Sequence, residues 1–408
     1  MSIRKRTWQS RKGTQIAWIV DYSVFDIKKG KRIRAIKTFK RERDARNFAA
    51  TTHVQIREGM HVPASASMTV EKAGELWIES SHAEGLEPTT VDVYQQHLRR
   101  HINPFVGHLK LPQVTVPTIA EFQQMLRDNG RSPAMVRGVT ASLHAIFATA
   151  LEQGLINHNP VSALRRRRRG KGKVQDRHKK KLRAGVDIPT PDEIRDIIKT
   201  ANGPLRPLLL TAIFTGLRAS ELRGLRWMDV DLKKSELHVQ QRADRRNVIG
   251  APKSAAGQRM VPLPPILATE LRNWKLTCPK KDEKLGLVFP NGRGNPASYA
   301  NIIGRWLIPT ITAAGCTQPV LDGHGIPTRD KQGKPIVRPK YTGLHAFRHF
   351  FASWCINRKV DGGLELPAKV VQERLGHSSI VMTMDTYGHL FPRGDDSSEL
   401  AIAERTFF

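Results

Sequence analysis

Six side chains in the C-terminal half of this 408-residue chain are of the types needed to grip and break a phosphodiester. Arg218 follows an apolar run and a glycine in Thr215-Gly216-Leu217-Arg218-Ala219-Ser220-Glu221-Leu222, which places its guanidinium at the start of a helix. Lys253 lies in Pro252-Lys253-Ser254-Ala255-Ala256-Gly257-Gln258-Arg259 between two expected strands, and so reads as the tip of a hairpin. His345 and Arg348 stand at i and i+3, which share a helix face, so imidazole and guanidinium could address one anion together. Leu344, Phe347, Phe351 and Trp354 form the expected buried stripe beside them, with His345 and Arg348 offset from it. Gly376 ends a helix in Leu375-Gly376-His377 and leaves His377 just beyond its last turn. Tyr387 follows in Thr386-Tyr387-Gly388-His389-Leu390. Taken singly, each has an ordinary explanation: a surface arginine, a solvated turn lysine, an exposed histidine, a packing tyrosine.

Jointly they amount to a tight anion site, one nucleophile and one acid. A phosphodiester is anionic, and its pentavalent transition state carries more negative charge. Arg218 and Arg348 could each donate two hydrogen bonds to non-bridging oxygens, with His345 and His377 adding donors. Tyr387 would attack phosphorus and form a phosphotyrosine. A free tyrosine titrates at about 10, so nearby cations are expected to favour the phenolate as its proton leaves. Lys253 would protonate the departing 5′ oxygen. Such a reaction keeps the bond energy in the covalent intermediate, needs no ATP and is reversible. No cluster of Asp and Glu suggests a two-metal site, and no Gly-x-x-x-x-Gly-Lys-Ser/Thr loop is present. Neither a metal nor another cofactor is expected.

The elements that must hold these groups are legible in part. Gln15–Tyr22 and Arg32–Phe39 alternate like strands around a turn at Lys28–Lys31, and a helical stretch runs from Arg41 to about Glu58, before Gly59. Residues 67–164 read as four short amphipathic helices. Val70, Ala73, Leu76 and Trp77 share a face, and so do Val91, Tyr94, Leu98 and Ile102 before Pro104 stops the run. Ile119, Phe122 and Leu126 mark a third helix. A fourth starts with Ser132 as N-cap and Pro133 in the first turn. Thr190-Pro191-Asp192-Glu193 is a capping box that opens a new domain. Helix signals continue to Leu225, strands are expected at Glu236–Gln240 and Met260–Leu263, and helices resume near residue 297. Residues 315–342, rich in Gly, Pro and charge, read as a long loop or hairpin insertion, and no internal repeat is evident.

A length of 408 residues suggests two or three domains at about 150 residues each. Lys and Arg number 67 against 37 Asp and Glu, a formal net charge of +30, too large for an ordinary metabolic enzyme and indicative of a polyanionic partner. The excess is segmental: residues 1–64 and 165–183 each carry a net +11. The second tract, Arg165, Arg166, Arg167, Arg168 and Arg169 through Lys181, is too charged to bury a core. It reads as a linker, either a solvated spacer or a strap on phosphates that releases counterions as it binds. No apolar run reaches the roughly 18–20 residues that span a bilayer. The basic N-terminus lacks the apolar stretch of a secretory signal. Cys278, Cys316 and Cys355 suit neither a disulfide framework nor a metal pair, which points to a reducing cytoplasm.

At this point the residues resemble a known family, the tyrosine recombinases of the phage integrase type. The likeness covers residues 190–391 through Thr-Gly-Leu-Arg218-x-x-Glu221-Leu, the Lys253 hairpin ending in Arg259-Met-Val-Pro-Leu, His345-x-x-Arg348-His349, Leu-Gly-His377 and Thr383-x-x-x-Tyr387-x-His389. Carried over one at a time, it implies that Arg218 and Arg348 clamp the phosphate. Lys253 would be the general acid, Tyr387 the nucleophile, and His345 and His377 the supporting pair. Glu221 is similar to the acidic residue that supports the first arginine. The implied architecture is mainly α with small β-sheets. An arm-type DNA-binding domain would occupy residues 1–64, a four-helix core-binding domain 67–164, a basic linker 165–189, a catalytic domain 190–391 and a tail 392–408. The tail's Leu400, Ile402, Phe407 and Phe408 are apolar enough to dock on a neighbouring subunit. The implied activity is site-specific integration and excision of a prophage or genomic island by a homotetramer on double-stranded DNA. A Holliday junction would form along the way, with accessory DNA-bending and directionality proteins, in the bacterial cytoplasm at the nucleoid and away from membranes. Two other readings stay open: cleavage and religation like that of a type IB topoisomerase, and a catalytically silent DNA-binding regulator on the same scaffold.

Overall fold

The computed structural model describes residues 1–10, 13–26, 31–57, 67–162, 181–279, 285–392 and 404–405. Two compact units divide the chain, Met1–Gln175 and Asp176–Phe408. The first unit begins with a three-stranded antiparallel sheet in the order β1 (Ser2–Ser10), β2 (Gly13–Asp26), β3 (Lys31–Phe39). Helix Glu42–Arg57 covers it, burying Val20 and Tyr22 against Ala45 and Ala49. The two expected strands are present, and β1 is an addition. Its Arg4, Lys5 and Arg6 hide it from a hydrophobic pattern, but an edge strand needs only backbone pairing, here from Ser2 opposite Asp21 to Ser10 opposite Gly13. Lys28–Gly30 of the expected turn lie outside the described residues. So do Glu58 and Gly59 at the helix end.

The helical segment folds as Val70–Ala83, Pro88–His97, Val116–Asp128 and Pro133–Glu152 around a core that includes Ile102, Phe122, Leu143 and Phe147. Ser132 Oγ accepts from Met135 N (3.2 Å), so the expected N-cap is in place. Pro104 does not stop the second helix, however. The chain continues from Leu98 to Gly107 as a π-helix with Pro104 inside it. The wider turn suits a residue that brings no N–H and whose ring would collide with an α-helical carbonyl. Helix Pro133–Glu152 is long and apolar enough to cross a bilayer by composition, contrary to the expectation that no stretch would be. Its Val136, Val139, Leu143, Ile146 and Phe147 face is spent on the bundle core.

In the second unit the capping box forms as expected. Thr190 Oγ1 accepts from Glu193 N (3.2 Å), and the Glu193 carboxylate accepts from Thr190 N (2.9 Å). Lys340 Nζ (2.7 Å) and the Tyr341 hydroxyl (2.8 Å) donate to the same carboxylate. The basic linker does not run loose to residue 189. Arg183 O accepts from the amides of Val186, Asp187 and Ile188, and Leu182 O lies 2.9 Å from His389 Nε2, so these residues pack as part of the unit.

Helix Leu205–Thr215 is buried on nearly every side, as a central core helix must be. An antiparallel ribbon follows. Glu236–Val239 pairs with Arg259–Pro262, Arg242–Ala243 pairs with Ile249–Gly250, and the turn at its end spans Asp244–Val248. Lys253 therefore sits on the returning limb, and the expected place at the tip belongs to Asp244–Val248. Helix Pro265–Thr277, which the sequence pattern left unassigned, occupies the next stretch and buries Leu267 and Leu271.

The 315–342 segment is a three-way junction. Thr317–Pro319 and Val337–Pro339 form its stem. Val320 N donates to Ile336 O, Ile336 N to Thr328 O, and Thr328 N to Val320 O, each at 2.8 Å, which closes a ring of three residues spaced eight apart. Two matching turns hang from it. Asp322 caps the amides of His324 and Ile326, and Asp330 caps those of Gln332 and Lys334. The expectation of no internal repeat is thereby corrected: Asp-x-x-Gly-x-Pro occurs twice, at Asp322–Pro327 and Asp330–Pro335.

Candidate active site

Two helix ends and two glycines build the anion site. Helix Leu205–Thr215 is capped by Gly216 at φ +60°, and helix Ala368–Leu375 by Gly376 at φ +64°, a backbone conformation that favours glycine. At Gly216 a Cβ would lie 2.4 Å from Phe351 Cδ1; at Gly376 it would lie 2.7 Å from Arg259 Nη1. Both caps leave carbonyls without intrahelical partners, at the end where the helix carries partial negative charge. Arg348 takes them: Nη1 donates to Gly216 O and Nη2 to Leu375 O, both at 2.6 Å. Arg218 Nη2 donates to the next carbonyl, Gly376 O, at 3.0 Å.

Arg348 is only 2 % exposed, so the reading that set it apart from the buried stripe is corrected. Its helix, His345–Ile356, buries Phe347, Arg348, Phe351, Ala352 and Cys355, a face broad enough to include the guanidinium because helix-end carbonyls receive it. Burial first, and the Arg218 charge second, pull its pKa down to about 9, so it remains a cation at neutral pH.

Arg218 is half-buried and held by Glu221, which accepts from its backbone N–H (2.9 Å) and from Nη1 (2.8 Å). Arg259 Nη2 donates to the other side of that carboxylate at 2.9 Å, and its Nε to Arg374 O at 2.7 Å. Burial alone would raise the Glu221 carboxyl; the Arg259 and Arg218 charges and hydrogen bonds outweigh it and hold the group below the usual glutamate range. One buried carboxylate thus ties two arginines, and Arg348 makes the local balance cationic.

His377 emerges after Gly376, with its N–H donating to Gln372 O (3.1 Å) and its Nδ1 2.9 Å from Thr383 Oγ1. Burial, then the charges of Arg348, Arg218 and Arg259, bring its pKa down to about 4. Its ring lies parallel to that of Tyr387, with centroids 6.3 Å apart and planes within 5°. Helix Ile380–Tyr387, N-capped by Ser379, carries Tyr387 on its last turn, 2 % exposed. Burial pushes the phenol up to about 12 against the downward pull of Arg348 and Arg218. The cations act in the expected direction, toward the phenolate, but desolvation outweighs them.

The residue at the Tyr387 hydroxyl is His349, whose Nδ1 lies 2.8 Å from it. His345 packs edge-on against His349, with ring centroids 4.6 Å apart. His345 is exposed at the surface of the site; partial desolvation, then the charges of Arg348 and Arg218, lower its pKa. Lys253 is exposed on its loop. Arg218, His345, Arg348, His377 and Tyr387 are therefore gathered around one centre, and Lys253 stands on a neighbouring surface segment. Arg165, Arg166, Arg167, Arg168 and Arg169 lie outside the described residues.

Arg259, His349 and Thr383 were quoted in the motifs without a role. Helical spacing offered a signal for His349, since it stands one turn beyond His345. Arg259 is linked to Glu221 only through the fold. Among the described residues no group of His, Cys, Asp and Glu is placed to hold a metal ion, and the three cysteines are free and buried.

Comparison with known proteins agrees with this geometry. Residues 189–393 match the Phage integrase family, and residues 69–127 match the N-terminal SAM-like domain of phage integrases. A tyrosine recombinase XerC-like protein of Caldanaerobacter subterraneus subsp. tengcongensis is 26 % identical over 355 residues, covering 83 % of each chain. The ICEBs1 integrase of Bacillus subtilis is 23 % identical over 376 residues, covering 90 % of this chain and 91 % of the relative. The fold is shared with the Tn1549 transposon integrase in complex with a circular intermediate DNA (TM-score 0.61, 20 % identity, 83 % of this chain and 100 % of that one). It is shared also with the lambda integrase tetramer bound to a Holliday junction (TM-score 0.53, 18 % identity, 91 % and 95 %). With a buried tyrosine, two converging arginines and two histidines on one side and this match on the other, the chain belongs to the phage integrase family of tyrosine recombinases, which carry out site-specific recombination of DNA.

Proposed function

We propose that this protein is the integrase of a prophage or genomic island, acting as a homotetramer on two double-stranded DNA sites through a Holliday junction. The observation that carries the reading is the convergence of Arg348 and Arg218 on the adjacent carbonyls of Leu375 and Gly376, beside His377 and the Tyr387 it stacks on. In this scheme Arg218 and Arg348 draw in the scissile phosphate and hold its non-bridging oxygens. Tyr387 attacks phosphorus to give a 3′-phosphotyrosine, and Lys253 donates a proton to the leaving 5′ oxygen. His345 and His377 donate hydrogen bonds to the non-bridging oxygens of the pentavalent phosphorus. Arginines suit the clamp because each presents a planar pair of donors that matches a phosphate edge.

The four-helix segment and the catalytic unit would clamp a core site, and residues 1–64 would read a separate arm site. Arg165–Arg169 would lie on the intervening phosphates. The tail after residue 391 would dock on a neighbouring subunit; apart from Pro392, Glu404 and Arg405 it lies outside the described residues. Accessory DNA-bending and directionality proteins, and a place at the bacterial nucleoid, complete the proposal.

The test is a covalent adduct on nicked duplex DNA from beside this protein's own gene, in EDTA and without ATP. Wild type should give a denaturant-stable adduct. Tyr387→Phe should bind equally well and give none, and an adduct from that variant would remove Tyr387 as nucleophile. Binding without an adduct from wild type would favour the silent regulator. Relaxation of supercoils without partner exchange between two marked sites would favour the topoisomerase-like activity.

A further inference from the structure

The nucleophile's nearest basic group is none of the residues that the motif roles single out. His349 Nδ1 stands 2.8 Å from the Tyr387 hydroxyl, a full hydrogen bond, and the two rings meet edge to face at 5.7 Å. His377 is engaged elsewhere, with Nδ1 on Thr383, and its ring lies parallel to Tyr387 at 6.3 Å. His345 packs edge-on against the His349 ring, with centroids 4.6 Å apart. We propose that His349 is a catalytic residue of this recombinase, the general base that receives the Tyr387 proton as the phenol attacks DNA and returns it when the strand is resealed.

The inference rests on the recombinase reading and completes its proton balance. A phenol buried to 2 % exposure cannot lose its proton to bulk water, and burial has driven its pKa to about 12. As the Tyr387 oxygen forms its bond to phosphorus and the phosphorus–O5′ bond breaks, one proton must leave the phenol and another must reach O5′. With Nε2 protonated, Nδ1 of His349 accepts the first; Lys253 delivers the second. His349 is kept neutral for the task by burial, by His345 and Arg348 on its own helix, and against the opposing pull of Asp187 on the preceding segment, with a pKa of about 4. A base of that strength is weak while the site is empty. When the scissile phosphate arrives between Arg348 and His345, its negative charge offsets theirs and raises the basicity of His349. Proton acceptance is thereby coupled to substrate binding. In the reverse step the protonated imidazole donates to the departing phenolate, as microscopic reversibility requires.

The decisive experiment measures single-turnover cleavage of the nicked duplex by wild type and by His349→Gln from pH 6 to 9. Glutamine can hold the hydroxyl through its carbonyl oxygen but cannot take a proton. The variant is expected to be slower by about 10²-fold at pH 7. Its logarithmic rate should climb with pH, as attack comes to depend on preformed phenolate, while wild type stays nearly flat. A merely structural role would lower both curves in parallel. His349→Ala provides the second arm: added imidazole should restore part of its rate, and DNA affinity shows that it has folded. A His349→Gln profile parallel to wild type, with no imidazole rescue of His349→Ala, would overturn the assignment. Absence of any adduct from wild type would overturn the recombinase reading itself, and with it this proposal.

Discussion

Arg348 and Lys253, the two groups given the phosphate-clamp and proton-donor roles in the proposed mechanism, differ most in how the fold holds them. Arg348 is sealed in the protein with both terminal nitrogens on helix-end carbonyls, and Lys253 is exposed on the returning limb of a ribbon. Their contrast shows how labour is divided. The arginines to which the proposed mechanism gives the phosphate are preorganised, so they would lose little reorganisation energy as the transition state forms. Lys253, the leaving-group acid of the proposed mechanism, stands exposed on a surface loop. Tyr387 sits with the first group: it is buried, and burial keeps its phenol protonated.

If that division holds, Arg348 should be costly to alter in two ways. Arg348→Ala would leave Gly216 O and Leu375 O without their donor, and should lower stability by about 2–4 kcal/mol and cleavage by at least about 10³-fold. Paired melting and adduct assays measure both, and an unchanged melting temperature would undo the contrast. Lys253→Ala should slow cleavage by about 10²-fold with melting unchanged, and a 5′-thio leaving group should recover the rate, because a thiolate needs little protonation. A rate that the thio substrate fails to recover would remove Lys253 as the acid.

The smallest effect is on pH. His349 and His377 titrate at about 4 when folded against an ordinary value of 6.5, so between those limits the unfolded chain binds more protons. Their contribution to stability is complete above about 6.5 and is lost as pH falls toward 4. Melting temperature should decline across that window, and His377→Asn should flatten the decline. An equally steep decline in that variant would take the burden off His377.

The sequence disclosed which residues meet and concealed how they are held. Spacing located Arg218, His345, Arg348, His377 and Tyr387, because the motifs sit on helix starts and ends whose glycines are visible in the text. It misjudged Arg348, because a stripe of apolar residues is a poor guide where a guanidinium replaces water as the partner of two helix caps. It placed Lys253 at a tip because short pairs such as Arg242–Ala243 and Ile249–Gly250 are set by the ladder rather than by composition. Strand β1 was hidden for a related reason: backbone pairing recruits a cationic segment that has no apolar face to announce it. Pro104 misled because the rule against proline assumes α-helical hydrogen bonding, which the π-helix relaxes.

The ring of Val320, Thr328 and Ile336 insulates the core from the two turns that hang on it. Each turn is an eight-residue loop that leaves and returns at neighbouring points of the ring, so the stem meets the core in the same way however many loops hang from it. Lys340 and Tyr341, just past the stem, keep their hold on Glu193 without sensing what lies beyond. A change confined to either turn is therefore expected to leave in place the helix that carries His345 and Arg348.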